Sequence, residues 1–194
     1  MNILVGLGNP GHTYNETRHN VGFKVIEALA QKHQVRLSQS LLNPEDQRPA
    51  AVFGDYQDGN RTVRLLMPLT MMNESGDAIK ALSEPAANML IICDDVAIPL
   101  GTIRLRPQGG GGGHNGLASC ITALATEQVA RLRVGVGTAS TPKELREFVL
   151  SPFPSAERPL IKQAIEQAAE ACEVWVREGI EAAMNRCNQA NDIS

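Results

Sequence analysis

Ile3-Leu-Val5 is an unbroken apolar run that ends at once in glycine, the pattern of a strand buried on both faces and opening into a sharp loop. From Val21 to His33 the spacing changes. Val21, Val25, Ile26 and Leu29 share one helical face, and Asn20 stands where a cap belongs. Ser38 to Pro49 is polar and bounded by proline, which predicts an exposed loop. Ala51 to Tyr56 and Thr62 to Met67 predict two strands joined by a tight turn at Asp58-Gly59-Asn60. A short helix follows through Ile79 and Leu82. Met89-Leu-Ile-Ile-Cys93 is a second continuous apolar run, read as a central parallel strand with Asp94 and Asp95 directly after it. Thr102 to Arg106 alternates, setting Ile103 and Leu105 against Arg104 and Arg106 and predicting a strand with one basic face. Leu117, Ile121 and Leu124 predict a helix, and Leu132 to Val136 one more strand. Thr141-Pro142-Lys-Glu144 has the form of a capping box with proline at the first helical position. After the break at Ser151-Pro-Phe-Pro154, one long closing helix carries Ile161, Ile165, Ala168, Cys172, Trp175 and Val176 on its core face.

Strands alternating with helices give an α/β fold, and 194 residues suit a single globular domain over 1-194. No stretch approaches the ~20 apolar residues of a membrane span, and no basic segment with an apolar signal core opens the chain, so a soluble cytoplasmic protein is expected. Cys93, Cys120, Cys172 and Cys187 lie far apart without a C-x-x-C pair, which predicts reduced, mostly buried thiols. A net charge of −3 argues against a general nucleic-acid coat, and 4% aromatic content leaves little for base-stacking platforms. Local basic patches remain open, with Arg104 beside Arg106 and Arg131 beside Arg133.

Gly6-x-Gly8-x-x-Gly11 matches the dinucleotide-binding pattern, but Pro10 and the polar stretch from His12 to Thr17 separate the glycines from the next helix. That pattern needs the helix to open inside the glycines so that its amino end meets a pyrophosphate. A nucleotide-dependent oxidoreductase therefore rests on the glycines alone. Gly109 to Gly113, five consecutive glycines, lack the Lys-Ser/Thr pair of a P-loop and read as a mobile functional loop.

Loops at strand ends present Asn9, Arg18, His19, Asn20, Asn73, Asp94, His114 and Asn115. A neutral histidine accepts a proton from water near pH 7, a neighbouring carboxylate fixes its tautomer, and asparagine amides offer donors to an oxyanion. The set suits water attack on an ester or amide carbonyl. Taken singly, each asparagine also suits a helix cap or a turn. His33 reads as a solvated helix-end histidine and His12 as undecided between loop lining and solvent. His12, His19, His114 and Asp94 offer metal-ligand chemistry, but no H-E-x-x-H or H-x-H spacing supports it. Cys93, in an apolar strand, reads as a buried thiol and not a nucleophile.

Val5-Gly-Leu-Gly-Asn-Pro-Gly11, Tyr14-x-x-Thr-Arg-His-Asn-Val-Gly22, Met72-Asn-x-Ser-Gly76, Asp94-Asp95 before Pro99, Gly112-Gly-His-Asn-Gly-Leu117 and Arg131-Leu-Arg-Val-Gly-Val-Gly137 together resemble the bacterial-type peptidyl-tRNA hydrolases. The resemblance implies a twisted mixed sheet flanked by helices, and hydrolysis of the ester joining a peptide to the terminal ribose of tRNA. It implies His19 as general base, Asp94 as its partner, and Asn9 and Asn115 in the catalytic set. Tyr14, Met71, Asn73, His114 and Asn115 would contact the substrate, and Arg106 and Arg133 the tRNA phosphates. No cofactor, no metal and a monomer are the corresponding expectations. The chain departs from the family pattern at Ala97, where an acidic residue is frequent, and at Gly111, where a side chain is frequent and its loss predicts a freer loop. The segment from Ser38 to Ala51 resembles the family least. A non-catalytic RNA-binding module of the same fold is the alternative, against which intact His19, Asp94 and Asn115 weigh.

Overall fold

A computed structural model describes residues 1–189. Seven strands form one mixed sheet: β1 (Asn2–Gly6), β2 (Gln39–Leu42), β3 (Pro49–Asp58), β4 (Arg61–Pro68), β5 (Met89–Pro99), β6 (Ile103–Arg106) and β7 (Ala130–Gly137). Their order is β2-β3-β4-β1-β5-β7-β6. The central four run parallel, while β2, β3 and β6 add antiparallel pairings at the two sides. The carboxyl ends of β1, β4, β5 and β7 thus share one edge, where open α/β sheets hold their ligands.

Both faces of the sheet are covered, which explains the apolar runs. Leu4, Leu90, Ile92, Leu132 and Val134 pack against α1 (Val21–Lys32) and α5 (Arg158–Glu178). Ile3, Val5, Ile91 and Cys93 point the other way, onto α2 (Ser75–Leu82) and α3 (Asn115–Leu124). Alternate residues of one strand therefore serve two cores.

Gly6, Gly8 and Gly22 are there for packing, whereas a Cβ at Gly11 would meet nothing and that glycine instead adopts a φ of 104°. A Cβ at Gly22 would meet the carbonyl oxygens of Leu7 and Ile92 at 2.5 Å, and one at Gly8 would meet the Phe23 ring at 2.7 Å. They let α1 lie directly on the loop after β1, which accounts for the nucleotide-like pattern without a nucleotide.

Several sequence expectations need correction. Ser38 to Pro49 is not all loop: β2 pairs with β3 and forms an exposed edge strand whose polar residues carried no alternation signal. Asp94 and Asp95 lie inside β5, opposite Val134 and Gly135, and the register shifts only after them. Asn20 does not cap α1 with its side chain. The Thr141 to Glu144 capping box does not form either, since Thr141 bonds back to Thr138 while the helix α4 (Leu145–Val149) starts later. The long helix through Ile161 to Val176 forms as α5, but it does not close the described chain, because α6 (Ile180–Gln189) follows after Gly179, whose φ of 86° suits glycine. The four cysteines are buried thiols, as expected.

Candidate active site

The alternation of β5 at its carboxyl end sends neighbouring acids to different partners. Asp94 faces the turn of residues 18–20 that leads into α1, and Asp95 faces Arg133 on β7. Asp94 Oδ1 accepts the His19 Nδ1–H at 2.7 Å and the His114 Nε2–H at 2.9 Å. The second imidazole has a fixed tautomer, because His114 Nδ1 accepts the backbone N–H of Leu117 at 3.1 Å as the cap of α3. That nitrogen carries no proton, so Nε2 does. With its Nδ1–H held by Asp94, neutral His19 presents the lone pair of Nε2 to the cleft. Burial pushes the Asp94 carboxyl up, but His114 and His19 outweigh burial and hold it well below the usual carboxylate range.

The cleft around this group has a volume of about 630 Å³ and is lined by Asn9, Tyr14, His19, Met71, Asn73, Asp94, Gly111 to Gly113, His114, Asn115 and Arg133. Asn9 is buried and its orientation is set: Oδ1 accepts the Met72 N–H at 2.8 Å, which leaves its NH2 for the cleft. Asn20 clamps this loop from behind, accepting the Asn9 N–H and donating to the Asn9 carbonyl, both at 2.9 Å. It supports the site and does not line it. Asn73 and Asn115 are exposed and make no side-chain hydrogen bond among the described residues, so both amides are available. His12 is exposed and outside the cleft.

Sequence reasoning missed one wall. Leu145, Arg146, Val149 and Leu150 of α4 and its end also line the cleft. The proline and glutamate before them signalled a helix, but nothing local indicates where a helix of one turn docks.

The basic faces also divide. In the β6–β7 register Arg104 stands opposite Arg133, and Arg106 opposite Arg131, all four turned away from the α1/α5 core. Arg131 is buried and engaged: its guanidinium donates to the carbonyls of Val129 at 2.9 Å and Gly110 at 3.1 Å. It is an anchor for the glycine loop and not part of a solvated basic face. Arg104 and Arg106 are exposed, and Arg133 is ion-paired with Asp95.

The loop itself is fastened by that arginine, by the Gly109 N–H to the Glu127 carbonyl at 3.1 Å, and by a turn from His114 N–H to the Gly111 carbonyl at 2.9 Å. Gly111 does not loosen it. A Cβ there would lie 2.9 Å from that of Ala118, so the glycine permits close contact with α3. At Ala97 the backbone N–H donates to Asp95 Oδ1 at 2.8 Å. His33, expected as a terminal or solvated histidine, does end α1, but it donates its Nε2–H to Glu173 Oε1 at 2.8 Å and stacks on Tyr56 with ring centres 3.9 Å apart.

His19, Asp94 and His114 bring possible ligand atoms within 4.8 Å of one another. A metal on His114 Nε2 would place the ring proton on Nδ1, against the Leu117 N–H, so the fixed tautomer opposes metal ligation.

Comparison with known proteins agrees along the chain. A family model described as peptidyl-tRNA hydrolase matches residues 3–194. The peptidyl-tRNA hydrolase of Syntrophomonas wolfei is 41% identical over 192 residues, covering 97% of this chain and 100% of the relative. That of Salinibacter ruber is 43% identical over 191 residues, covering 96% and 97%. The crystal structure of peptidyl-tRNA hydrolase from Acinetobacter baumannii superposes with a TM-score of 0.86 at 34% identity, covering 97% of this chain and 94% of that one.

Proposed function

Because the chain belongs to the peptidyl-tRNA hydrolase family and so hydrolyses peptidyl-tRNA, we propose that His19 is the general base that activates water against the ester carbonyl. The observation that carries this is the open Nε2 of His19 in the cleft, with its Nδ1–H fixed on the Asp94 carboxylate. Water loses a proton to Nε2 as its oxygen bonds to the carbonyl carbon, and Asp94 stabilises the resulting imidazolium. Asn9 NH2, with Asn73 and Asn115, supplies donors to the developing oxyanion and to the peptide backbone. When the bond to the ribose oxygen breaks, the imidazolium returns its proton to that oxygen, releasing tRNA and a peptide carboxylic acid, which ionises by losing its proton to solvent. Tyr14, Met71 and His114 contact the substrate, and Arg106 and Arg133 meet tRNA phosphates. The whole chain acts as one domain, as a cytoplasmic monomer without metal. Among the described residues no helix is long and apolar enough to cross a membrane.

Purified peptidyl-tRNA tests the assignment. His19→Ala should lose about 10²–10⁴-fold in turnover while still binding tRNA, and near-normal turnover would reject His19 as the base.

A further inference from the structure

Arg18 precedes the proposed base and does not line the cleft, yet it is one of the most fully enclosed cations in the molecule, with a relative exposure of 3%. Its guanidinium forms an ion pair with Glu157 at 2.7 Å, at the start of α5. Its carbon lies 4.3 Å from the ring centre of Phe148 on α4 and 4.8 Å from that of Phe153. Nη1 also donates to the Val136 carbonyl on β7 at 3.4 Å. The backbone repeats the connection: Arg18 N–H donates to the Ser151 carbonyl at 3.1 Å, and Thr17 bridges Pro152. Arg18 Nε, sealed from solvent, has no hydrogen-bond partner among the described residues. Burying a cation with one donor unsatisfied is unfavourable for stability alone, and such departures concentrate where function holds a group in place.

Phe148 belongs to the same short helix whose Leu145, Arg146 and Val149 face the cleft. The guanidinium stack therefore joins the α4 wall of the cleft directly to the turn carrying His19. We infer that Arg18 is a positioning residue, setting where His19 Nε2 stands relative to the α4 wall and hence to a substrate in the cleft. This rests on His19 being the base. A planar guanidinium is suited to the task because it stacks on two rings while keeping its edge for Glu157, which an ammonium does not do.

The test uses Arg18→Lys, which keeps the charge facing Glu157 and loses the stack, and Phe148→Ala, which removes the α4 side of the stack and leaves the ion pair. Each is made in the wild-type and in the His19→Ala protein. Turnover is measured on peptidyl-tRNA and on a minimal aminoacyl ester, with single-turnover conditions for the slow variants and with folding followed by thermal unfolding and near-UV circular dichroism. In folded protein kcat should fall about 10- to 100-fold on both substrates, with KM nearly unchanged, since small misplacements of a reacting group have effects of that size. In the His19→Ala background the same substitutions should have no further effect, because the group they position is gone. Full kcat in either folded variant would overturn the inference, as would equal fold losses in both backgrounds, which would make the cluster a general support of the cleft. If Arg18→Lys does not fold, Phe148→Ala decides alone. Wild-type turnover by His19→Ala itself would instead defeat the reading of His19, a separate outcome.

Discussion

His19 and His114 donate to the same oxygen, Oδ1 of Asp94, at 2.7 and 2.9 Å, with their ring centres 4.9 Å apart. Only one of the two is free to act as a base. The Leu117 N–H occupies Nδ1 of His114, whereas Nε2 of His19 has no partner among the described residues. Asp94→Asn should therefore lower kcat by about 10²–10⁴-fold and leave tRNA binding in place, since the amide keeps the shape but does not stabilise an imidazolium. Because Asp94 is held well below the usual carboxylate range, it remains ionised where a free imidazole, near ~6.5, titrates. A loss of wild-type kcat on acidification that begins above the carboxylate range therefore does not come from protonation of Asp94.

The tautomer argument extends to metals. Incubation with EDTA followed by dialysis should leave hydrolysis of a minimal ester unchanged, because His114 cannot ligate through Nε2 without placing a proton against the Leu117 N–H. Loss of activity with recovery on adding zinc would overturn this. A minimal ester avoids the separate effect of chelators on tRNA folding.

Much of this arrangement is legible in the chain itself, for physical reasons that also mark the limits. Strands buried on both faces must be apolar throughout, so Ile3 to Val5 and Met89 to Cys93 announce the sheet centre, and the polar residues that follow announce the ligand edge. Edge strand β2 has no such requirement; Gln39 and Ser40 are exposed and read as loop. Arg131 and Arg133 look alike in sequence, two residues apart on one strand, and only the approach of the glycine loop decides that one is buried as an anchor. Leu145, Arg146 and Val149 give no local sign that they wall a cleft, since that depends on Phe148 and Phe153 reaching Arg18 across more than a hundred residues of chain.

The Glu173 cluster, remote from the cleft, makes a separate prediction about stability. Lys32 donates to Glu173 Oε2 at 2.8 Å, and His33 meets Oε1 at 2.8 Å. Burial raises the Glu173 carboxyl, but these bonds outweigh it and hold it below its ordinary value. A depressed carboxylate contributes stability that is fully present above its unfolded value, ~4.3, and is lost as pH falls through the folded value. Glu173→Gln should destabilise by ~1 kcal/mol at pH 7, a modest figure because the Lys32 side chain is half exposed. The difference from wild type should shrink below about pH 4. Urea unfolding at pH 7 and pH 3.5 checks this, and an undiminished difference at the lower pH would remove the charge explanation.

How an acidic protein holds tRNA is the last question, and the arginine pairing gives an uneven answer. Arg106 is exposed and has no ion-pair partner among the described residues, while Arg133 already faces Asp95. A cation that neutralises a phosphate releases counterions, and its removal flattens the log-log dependence of affinity on salt by about 0.7–0.9. Arg106→Ala should show that change. Arg133→Ala should show less, because Asp95 matches its charge before tRNA arrives, and Asp95→Asn should steepen the wild-type slope by freeing Arg133. These effects should be similar for tRNAs of different sequence, since phosphate contacts position a substrate without reading its bases. On a minimal ester lacking the tRNA body, Arg106→Ala should cost little, because the residue lies outside the cleft holding His19 and Asp94. Turnover of both substrates across a salt series decides it. Equal losses on the two substrates would mean that Arg106 supports the fold of the site and that the phosphates are held elsewhere.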